Sequence, residues 1–225
     1  SEELPISDGV TYTMFMQDGQ TVAGLGGQPP GSPFPSAWNN YINVHNIDEM
    51  PAKVTALGGT VIEQPFDIFD NGRMMLLQDP TGAMVCLWQA KNHIGSGLVN
   101  TPGAFTWNEL LTHDVQKAEA FYTQLLGWTF QPGPIPGYRM CFVGDRVNGG
   151  IMQMPAAMGD TPAYWTVYFS VKSLDDVLTK VPAAGGKLLS PVMDTGVGHS
   201  VVAADPTGAA ATYMQVTTPQ PWDAV

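Results

Sequence analysis

An internal repeat constrains this chain more than any other feature of its sequence. The segment Trp38–Val44 reappears 127 residues later as Trp165–Val171, and both segments alternate in the way that β-strands do. Short helical patterns follow at Ile47–Leu57 and Leu174–Ala184, and each is closed by a Gly-Gly pair, which suits a helix C-terminus. Two distant parts of the chain therefore predict the same strand and the same helix.

Each copy continues in the same way after its Gly-Gly pair. An apolar run that contains a proline comes next, followed by a glycine-containing loop and the letters DPTGA, which begin at Asp79 and at Asp205. These five letters are typical of a tight turn before a last strand. One copy thus predicts a strand, a helix and three further strands, abbreviated βαβββ.

A second pair of related segments, Tyr12–Gly24 and Tyr138–Gly150, matches at an offset of 126 residues and predicts two hairpins. Ahead of Tyr138 stand a strand pattern, FTWNELLT, and a helix from Asp114 to Leu126 with Asp114 as its N-cap. Ahead of Tyr12 there is no room for either element. The first unit is therefore expected to lack its opening strand and helix, and the chain to begin inside a longer or processed sequence.

These patterns predict the α+β class, with βαβββ units in tandem. We expect a first domain at 1–90, a linker at 91–102 and a second domain at 103–225, because the glycines and the proline of the linker are typical of a connector. The incomplete first unit would leave a sheet edge open. A second copy of the chain, forming a homodimer, is therefore a candidate partner.

Charge and composition restrict the other partners. The chain has 9 basic and 20 acidic side chains, a net charge of −11, which repels phosphate backbones and anionic lipid surfaces. No run of the sequence approaches the roughly 18 to 20 apolar residues of a membrane span. The two cysteines, Cys86 and Cys141, lie in separate apolar runs. We expect a cytoplasmic protein with buried thiols that binds neither nucleic acid nor membranes.

The stretch NELLTHDVQKAEAFYTQLLGW, followed by AGGK and DPTGA, resembles the glyoxalase, bleomycin-resistance and extradiol-dioxygenase superfamily, also called vicinal oxygen chelate. The resemblance covers nearly the whole chain. The combination of WNEL, AFY and LGW with paired DPTG turns is similar to the two-domain branch described as glyoxalase-like proteins or hydroxylases. It implies curved mixed sheets around small-molecule cavities. Because that superfamily includes isomerases, lyases, dioxygenases and plain drug-binding proteins, the site residues must decide the chemistry.

The resemblance also implies where a catalytic metal would be bound, at inward-facing positions of the first and last strands of paired units. The matching positions here are Asn39, Tyr41, Trp107, Glu109, Thr166 and Tyr168 on first strands, and Cys86, Met152 and Thr212 on later strands. Only Glu109 among them suits a divalent ion, so no set of histidines and carboxylates can be assembled. We therefore predict neither a metal nor another cofactor.

These inward positions are instead expected to line a ligand cavity. Aromatic and methionine side chains on the predicted strands make adaptable apolar walls, which favours a flat, apolar or aromatic metabolite. Burial of Glu109 would favour the protonated form of its carboxyl, which suits it to accept a proton near neutral pH. Arg73 and Arg139 are candidates to neutralise Glu109 or to hold an anionic ligand group. His199 follows a glycine loop that would border the cavity.

Two classes of function are compatible with these residues. The first is a metal-independent protein that binds a small molecule without converting it. The second is a lyase or isomerase in which Glu109 acts as general base and a tyrosine such as Tyr168 acts as acid. Metal-dependent glyoxalase chemistry is a third, less favoured hypothesis. The residue pattern favours binding, whereas the resemblance favours an enzyme.

Overall fold

The computed structural model describes residues 1–7, 10–28 and 31–218. The described strands are β1 (Glu2–Ser7), β2 (Val10–Gln17), β3 (Gln20–Gly26), β4 (Tyr41–Asn43), β5 (Thr60–Ile68), β6 (Gly72–Gln78), β7 (Met84–Ala90), β8 (Phe105–Thr112), β9 (Thr129–Pro132), β10 (Tyr138–Val143), β11 (Arg146–Gln153), β12 (Tyr164–Ser170), β13 (Lys187–Leu188), β14 (Met193–Asp194), β15 (Gly198–Ala204) and β16 (Ala210–Val216). The helices are α1 (Met50–Ala56), α2 (Val115–Leu126) and α3 (Leu174–Ala183). None of these helices combines the length and the apolar character that crossing a membrane would require.

Helix α2 begins and ends where its sequence predicts. Asp114 is its N-cap and accepts a hydrogen bond on Oδ1 from Lys117 N at 2.9 Å. Gly127 ends the helix with a φ of +73°, a left-handed conformation that favours glycine. One face of the helix is buried, formed by Ala118, Phe121, Tyr122 and Leu125.

Helix α1 begins later than predicted. The residues Ile47–Glu49 form a single 3-10 turn with Asn46 as N-cap, and the α-helical part starts only at Met50. Pro51 explains this boundary, because proline is tolerated in the first turn of an α-helix but not in its interior.

The two DPTGA turns have the same hydrogen bonds, which confirms the sequence repeat at the level of atoms. Asp79 Oδ1 accepts bonds from Thr81 N at 2.8 Å, from Thr81 Oγ1 at 2.7 Å and from Ala83 N at 3.1 Å. Asp205 accepts the three equivalent bonds from the residues two and four positions further on, at 2.8, 2.7 and 3.0 Å. Each aspartate thereby fixes the turn that leads into the last strand of its unit.

The chain separates into two compact units by its internal contacts. Unit 1 comprises Ser1–Trp38, Gly95–Trp107 and Val167–Val225, and unit 2 comprises Asn39–Ile94 and Asn108–Thr166. Strands β8 and β12 are each divided between the two units. The domain boundaries expected from the repeat follow sequence similarity rather than contacts, and they stay a prediction.

Unit 2 contains two groups of strands and the helices α1 and α2. One group is a four-stranded sheet in the order β4-β7-β6-β5, in which β4 and β7 are parallel, and the other has the order β8-β11-β10-β9, in which β8 and β11 are parallel. Side chains from both helices and both groups of strands meet in one buried core, which includes Ile47, Val54, Met75, Leu87, Leu110, Phe121, Tyr122 and Ile151. The opposite sides of the two groups of strands do not contribute to this core.

Unit 1 contains the strands β13-β15-β16-β12 in that order, with β14 paired to β15 and with β12 parallel to β16. Helix α3 packs on these strands through a small core of Leu174, Val177 and Val201. Ser173 is the N-cap of α3, and its hydroxyl accepts a hydrogen bond from Asp176 N.

The first sequence unit is more complete than a hairpin. Strands β2 and β3 form the predicted antiparallel hairpin, and β1 adds a third antiparallel strand beside β2. The same order occurs at β9-β10-β11, where β9 pairs with β10. The hairpin expected from Tyr12–Gly24 is confirmed, and β1 is a further strand beside it that corresponds to β9 and that the sequence did not predict.

Candidate functional site

Glu109 lies on the side of strands β8, β10 and β11 that is turned away from helix α2. Strand register aligns two rows of residues on this side. The rows are Glu109 with Gly150 and Met140, and Leu111 with Met152 and Tyr138. Leu110 and Ile151, which alternate with them, belong to the core beneath α2. We call the side chains of Glu109, Leu111, Tyr138, Met140 and Met152 the Glu109 face.

The carboxylate of Glu109 is buried, since only 7% of the residue is exposed. Its neighbours Tyr138, Met140 and Met152 are half-buried, so the face combines one enclosed charge with accessible apolar and aromatic surface. Glu109 and Met152 thus share one side of the strands, and the prediction that this side lines a ligand cavity stays a prediction. A buried carboxylate among apolar groups is a strong hydrogen-bond acceptor for a ligand.

Glycine at position 150 provides the space for the ring of Tyr138. A Cβ at Gly150 would overlap the phenol oxygen of Tyr138, so this ring lies over the backbone directly beside Glu109. Tyr12 lies over Gly24 in the same way. The Tyr–Gly pair repeats in the sequence at an offset of 126 residues. This repeat is the sequence signal that points to Tyr138, which strand alternation from the first strands does not select.

Tyr164, at the start of β12, adds a second titratable group beside Glu109. Burial and, to a smaller extent, the negative charge of Glu109 raise the pKa of Tyr164 above its usual value of 10.0. The phenol therefore keeps its proton at neutral pH while it lies near a carboxylate. Tyr164 alternates with Thr166 and Tyr168, which were predicted to face inward, so strand alternation would also have selected it.

Arg73 and Arg139 do not take the positions predicted for them. Arg73 Nη1 lies 2.6 Å from Asp48 Oδ2, at the turn before α1. Arg139 forms an ion pair with Glu119 of α2. Strand alternation explains this correction, because Arg139 follows Tyr138 in β10 and so points to the helix side of the strands. Neither arginine neutralises Glu109.

Tyr41 and Cys86 are partners across the parallel strands β4 and β7, and they share a side-chain hydrogen bond. Burial raises the pKa of the Cys86 thiol to about 12, although the hydrogen bond with Tyr41 opposes part of this effect. The thiol is therefore neutral and unsuited to act as a nucleophile. Asn39, predicted on the same strand, is exposed and precedes β4, because this strand begins only at Tyr41.

Both cysteines should be inert in the folded protein. Burial raises the pKa of Cys141 to about 12 as well, and both residues are almost inaccessible. In a thiol assay with Ellman's reagent at pH 8, we expect both to react at least about tenfold more slowly than in the chain unfolded by guanidinium. A Lys187→Cys variant, which places a thiol on exposed β13, is the positive control. Rapid labelling of two thiols in the unmodified folded protein would contradict the burial.

Unit 1 contains four of the predicted positions, Trp107, Tyr168, His199 and Thr212. Tyr168 and Thr212 are partners across β12 and β16, and Thr212 is 2% exposed. Trp107 is half-buried in β8. These placements are compatible with the predicted inward positions, but a role in ligand binding stays a prediction.

His199 does not share the face of Thr212. Its partner across β15 and β16 is Gln215, and Val201, two residues later on the same face, packs in the core with α3. His199 is itself exposed. The register places His199 on the side of β15 that faces α3, and the position beside a ligand cavity that was expected for it stays a prediction.

The donor set of the described chain does not fit a metal centre. Across residues 1–7, 10–28 and 31–218, no three His, Cys, Asp or Glu side chains lie together in a way that could hold a metal ion. The Glu109 face supplies one carboxylate. Whether the protein works without a metal stays a prediction that metal analysis of the purified protein can test.

Comparison with known proteins gives two kinds of relatives. A family model described as Bleomycin resistance protein-like N-terminal matches residues 104–144. The chain is 42% identical over 207 residues to a protein of Mycobacterium tuberculosis that carries a glyoxylase name, CFP32, and the match covers 89% of this chain and 78% of that protein. It is 27% identical over 220 residues to the anthracycline biosynthesis protein DauV of Streptomyces sp., with 91% and 80% covered.

Solved structures with the same fold include a dioxygenase and a Mn(II)-bound glyoxalase. The 2,3-dioxygenase LapB from Pseudomonas sp. KL28 matches with a TM-score of 0.52 and 16% identity, covering 80% of this chain and 72% of that chain. The Mn(II)-bound glyoxalase from Novosphingobium aromaticivorans matches with a TM-score of 0.52 and 17% identity, covering 80% and 67%. At these identities the likeness shows the fold alone, and it confirms the predicted α+β fold with curved mixed sheets.

Proposed function

Because this chain belongs to the vicinal oxygen chelate superfamily of glyoxalase-like and bleomycin-resistance-like proteins, we propose that it binds a flat aromatic small molecule on the Glu109 face. The observation that carries the proposal is the buried carboxylate of Glu109 beside two tyrosines and two methionines. Aromatic rings and thioethers stack on planar ligands, and the carboxylate accepts a hydrogen bond from a ligand hydroxyl.

The chemistry of this face favours a ligand that carries phenolic hydroxyl groups. Glu109 supplies an acceptor, and Tyr164, whose pKa is raised by burial and then by Glu109, supplies a donor. A relative at 27% identity is named for anthracycline biosynthesis, and anthracyclines are polycyclic aromatic molecules with such hydroxyls. We therefore take a polycyclic phenol as the ligand class and an anthracycline as the first probe.

When daunorubicin binds to the purified protein, it should quench the tryptophan fluorescence of the protein saturably. Glu109→Gln should weaken the binding about tenfold, since a hydrogen bond to a charged acceptor contributes about 1.4 kcal/mol more than one to a neutral amide. Glu63→Gln, an exposed carboxylate in the same unit, is the matched control and should change the affinity less than twofold. No saturable quenching, or an equal effect of both variants, would refute the proposal.

An enzyme is the second candidate, favoured by the acid–base pair of Glu109 and Tyr164. In a lyase or isomerase, Glu109 would accept a proton from the bound molecule and Tyr164 would donate one. Tyr164 takes the acid role here in place of Tyr168, because its pKa responds to the charge of Glu109. Conversion of the bound compound by the pure protein, lost in Glu109→Gln and in Tyr164→Phe while both still bind it, would support this function over plain binding.

A further inference from the structure

A cleft of about 460 Å³ lies in unit 1 where the parallel strands β12 and β16 end, and its lining shares no residue with the Glu109 face. This volume falls within the range of small-molecule sites. Most of its lining residues are polar, among them Asn100, Thr106, Ser170, Lys172, Gln215 and Thr217, beside Pro102 and two valines. Among the residues that the structure describes, neither an aromatic side chain nor a carboxylate contributes to the lining. A flat apolar ligand therefore has little to stack on here, and a hydrophilic ligand has many partners.

The cleft recurs at the equivalent place of the other repeat copy. A smaller cleft of about 300 Å³ in unit 2 is lined by Asn43, Val44, His45, Gln89 and Ala90, which match Ser170, Val171, Lys172, Gln215 and Val216 in the repeat. In both copies the side-chain carbonyl oxygen of the glutamine accepts a hydrogen bond from a backbone N–H at the start of the helical segment of the same repeat copy. Gln215 Oε1 lies 3.0 Å from Leu174 N, and Gln89 Oε1 lies 2.8 Å from Ile47 N. The βαβββ unit thus builds this cleft by its own geometry.

Two hydroxyl residues at the cleft of unit 1 are themselves almost fully buried. Ser170 is 6% exposed and Thr106 is 7% exposed. Thr106 Oγ1 donates to Asn100 Oδ1 at 3.1 Å, so its lone pairs remain to accept from a ligand. The backbone N–H and C=O of Ser170 are both engaged, with Ala104 O and Gly103 N, whereas its hydroxyl has no hydrogen-bond partner within the described chain. Both groups are held in place by the fold before any ligand arrives.

Lys172 gives the cleft its charge. The described part of the chain pairs Lys53, Arg73, Lys91, Arg139 and Lys180 with carboxylates, but Lys172 is in no ion pair there. In a protein with a net charge of −11, a cation beside hydroxyl and amide groups is a local site for a negative charge. The cleft therefore favours a negatively charged ligand group, whereas the Glu109 face itself carries a carboxylate.

We propose that the cleft at the ends of β12 and β16 binds a small hydroxylated anion, a sugar phosphate or sugar acid. Lys172 pairs with the phosphate or carboxylate, and Ser170, Thr106 and the amide group of Gln215 bond to the hydroxyl groups. The site is independent of the Glu109 face, so one chain holds two ligands of different chemistry.

Titration of the full chain with glucose 6-phosphate, followed by amide NMR, tests the proposal. The amide resonances of Ser170, Lys172 and Thr217 should shift along one saturable curve, and glucose should bind at least about tenfold more weakly because it lacks the charge. Gluconate in place of glucose 6-phosphate tests whether a carboxylate serves equally, and binding of either anion supports the site. Failure of both anions to shift these resonances would overturn it.

The variants separate a specific site from general attraction. Lys172→Ala should lower the affinity for glucose 6-phosphate at least about tenfold. Lys187 is an exposed lysine of the same unit outside the cleft, so Lys187→Ala should change this affinity less than twofold. Ser170→Ala keeps the charge of the cleft, and it should weaken the binding of glucose 6-phosphate more than the binding of inorganic phosphate. Equal effects of the two lysine variants would overturn the proposal. Daunorubicin binding should be the same in Lys172→Ala as in the unmodified protein, so the two proposals fail or succeed separately.

Discussion

Replacement of Asp79 by alanine should lower the free energy of unfolding by about 3 to 5 kcal/mol, because two or more buried donors would lose their acceptor. Asp79 is 3% exposed and uses both of its oxygens. One oxygen fixes the DPTGA turn through Thr81 and Ala83. The other accepts a hydrogen bond from the phenol of Tyr122 at 2.8 Å.

The bond to Tyr122 joins Asp79 to the aromatic centre of unit 2. Tyr122 is 0% exposed, and its phenol oxygen also accepts a hydrogen bond from Trp165 Nε1 at 2.9 Å. Burial, together with the negative charge of Asp79, raises the pKa of Tyr122 well above its usual value, so the phenol is a donor throughout the accessible pH range. Without Asp79 this buried donor loses its acceptor.

Asp205→Ala is the matched control, since Asp205 makes the same three turn bonds but is exposed. Water can replace its carboxylate, and we expect a loss of about 1 kcal/mol. Urea unfolding followed by tryptophan fluorescence measures both losses. Tyr122→Phe removes the phenol hydroxyl but keeps the turn, and it should lower the free energy of unfolding by about 2 kcal/mol. If the two aspartate variants lose the same amount within experimental error, the buried bond to Tyr122 contributes nothing.

The same pair of aspartates shows how far the sequence predicts this protein. The letters DPTGA determine a local turn, and both turns form as predicted because all of their bonds lie within four residues. The burial of Asp79 depends on Tyr122, a residue 43 positions away in another repeat copy. Sequence similarity between the two turns carries no information about that partner.

The candidate site divides in the same way. Strand alternation places Glu109 and Met152 on one face, because alternation is a property of each strand alone, whereas ligand binding by this face stays a prediction. The ion pairs of Arg73 and Arg139 depend on which carboxylates the fold brings near, and the predicted pairing with Glu109 failed for that reason. Tyr164 was detectable by alternation, but its effect on the site comes from its distance to Glu109 in three dimensions.

Replacement of Gly198 by alanine should lower the free energy of unfolding by about 3 kcal/mol, because the added methyl group would collide with backbone atoms that cannot move aside. A Cβ at this position would overlap the carbonyl oxygen of Gln215 and would lie 2.9 Å from the Cα of Val216. Gly198 and Val216 are ladder partners across β15 and β16. The close approach of these strands therefore requires glycine for its size.

The appropriate control for Gly198→Ala is Gly27→Ala, in the same unit. A Cβ at Gly27 meets no atom within 4 Å, so we expect a change within about 0.5 kcal/mol. Relief of the collision at Gly198 requires β16 to move at Gln215 and Val216, which both line the cleft beside Lys172. The variant should consequently also lower the affinity for glucose 6-phosphate. The affinity of unit 2 for daunorubicin should be unaffected at temperatures where the protein stays folded. A Gly198→Ala protein as stable as Gly27→Ala would show that β15 and β16 do not approach each other this closely.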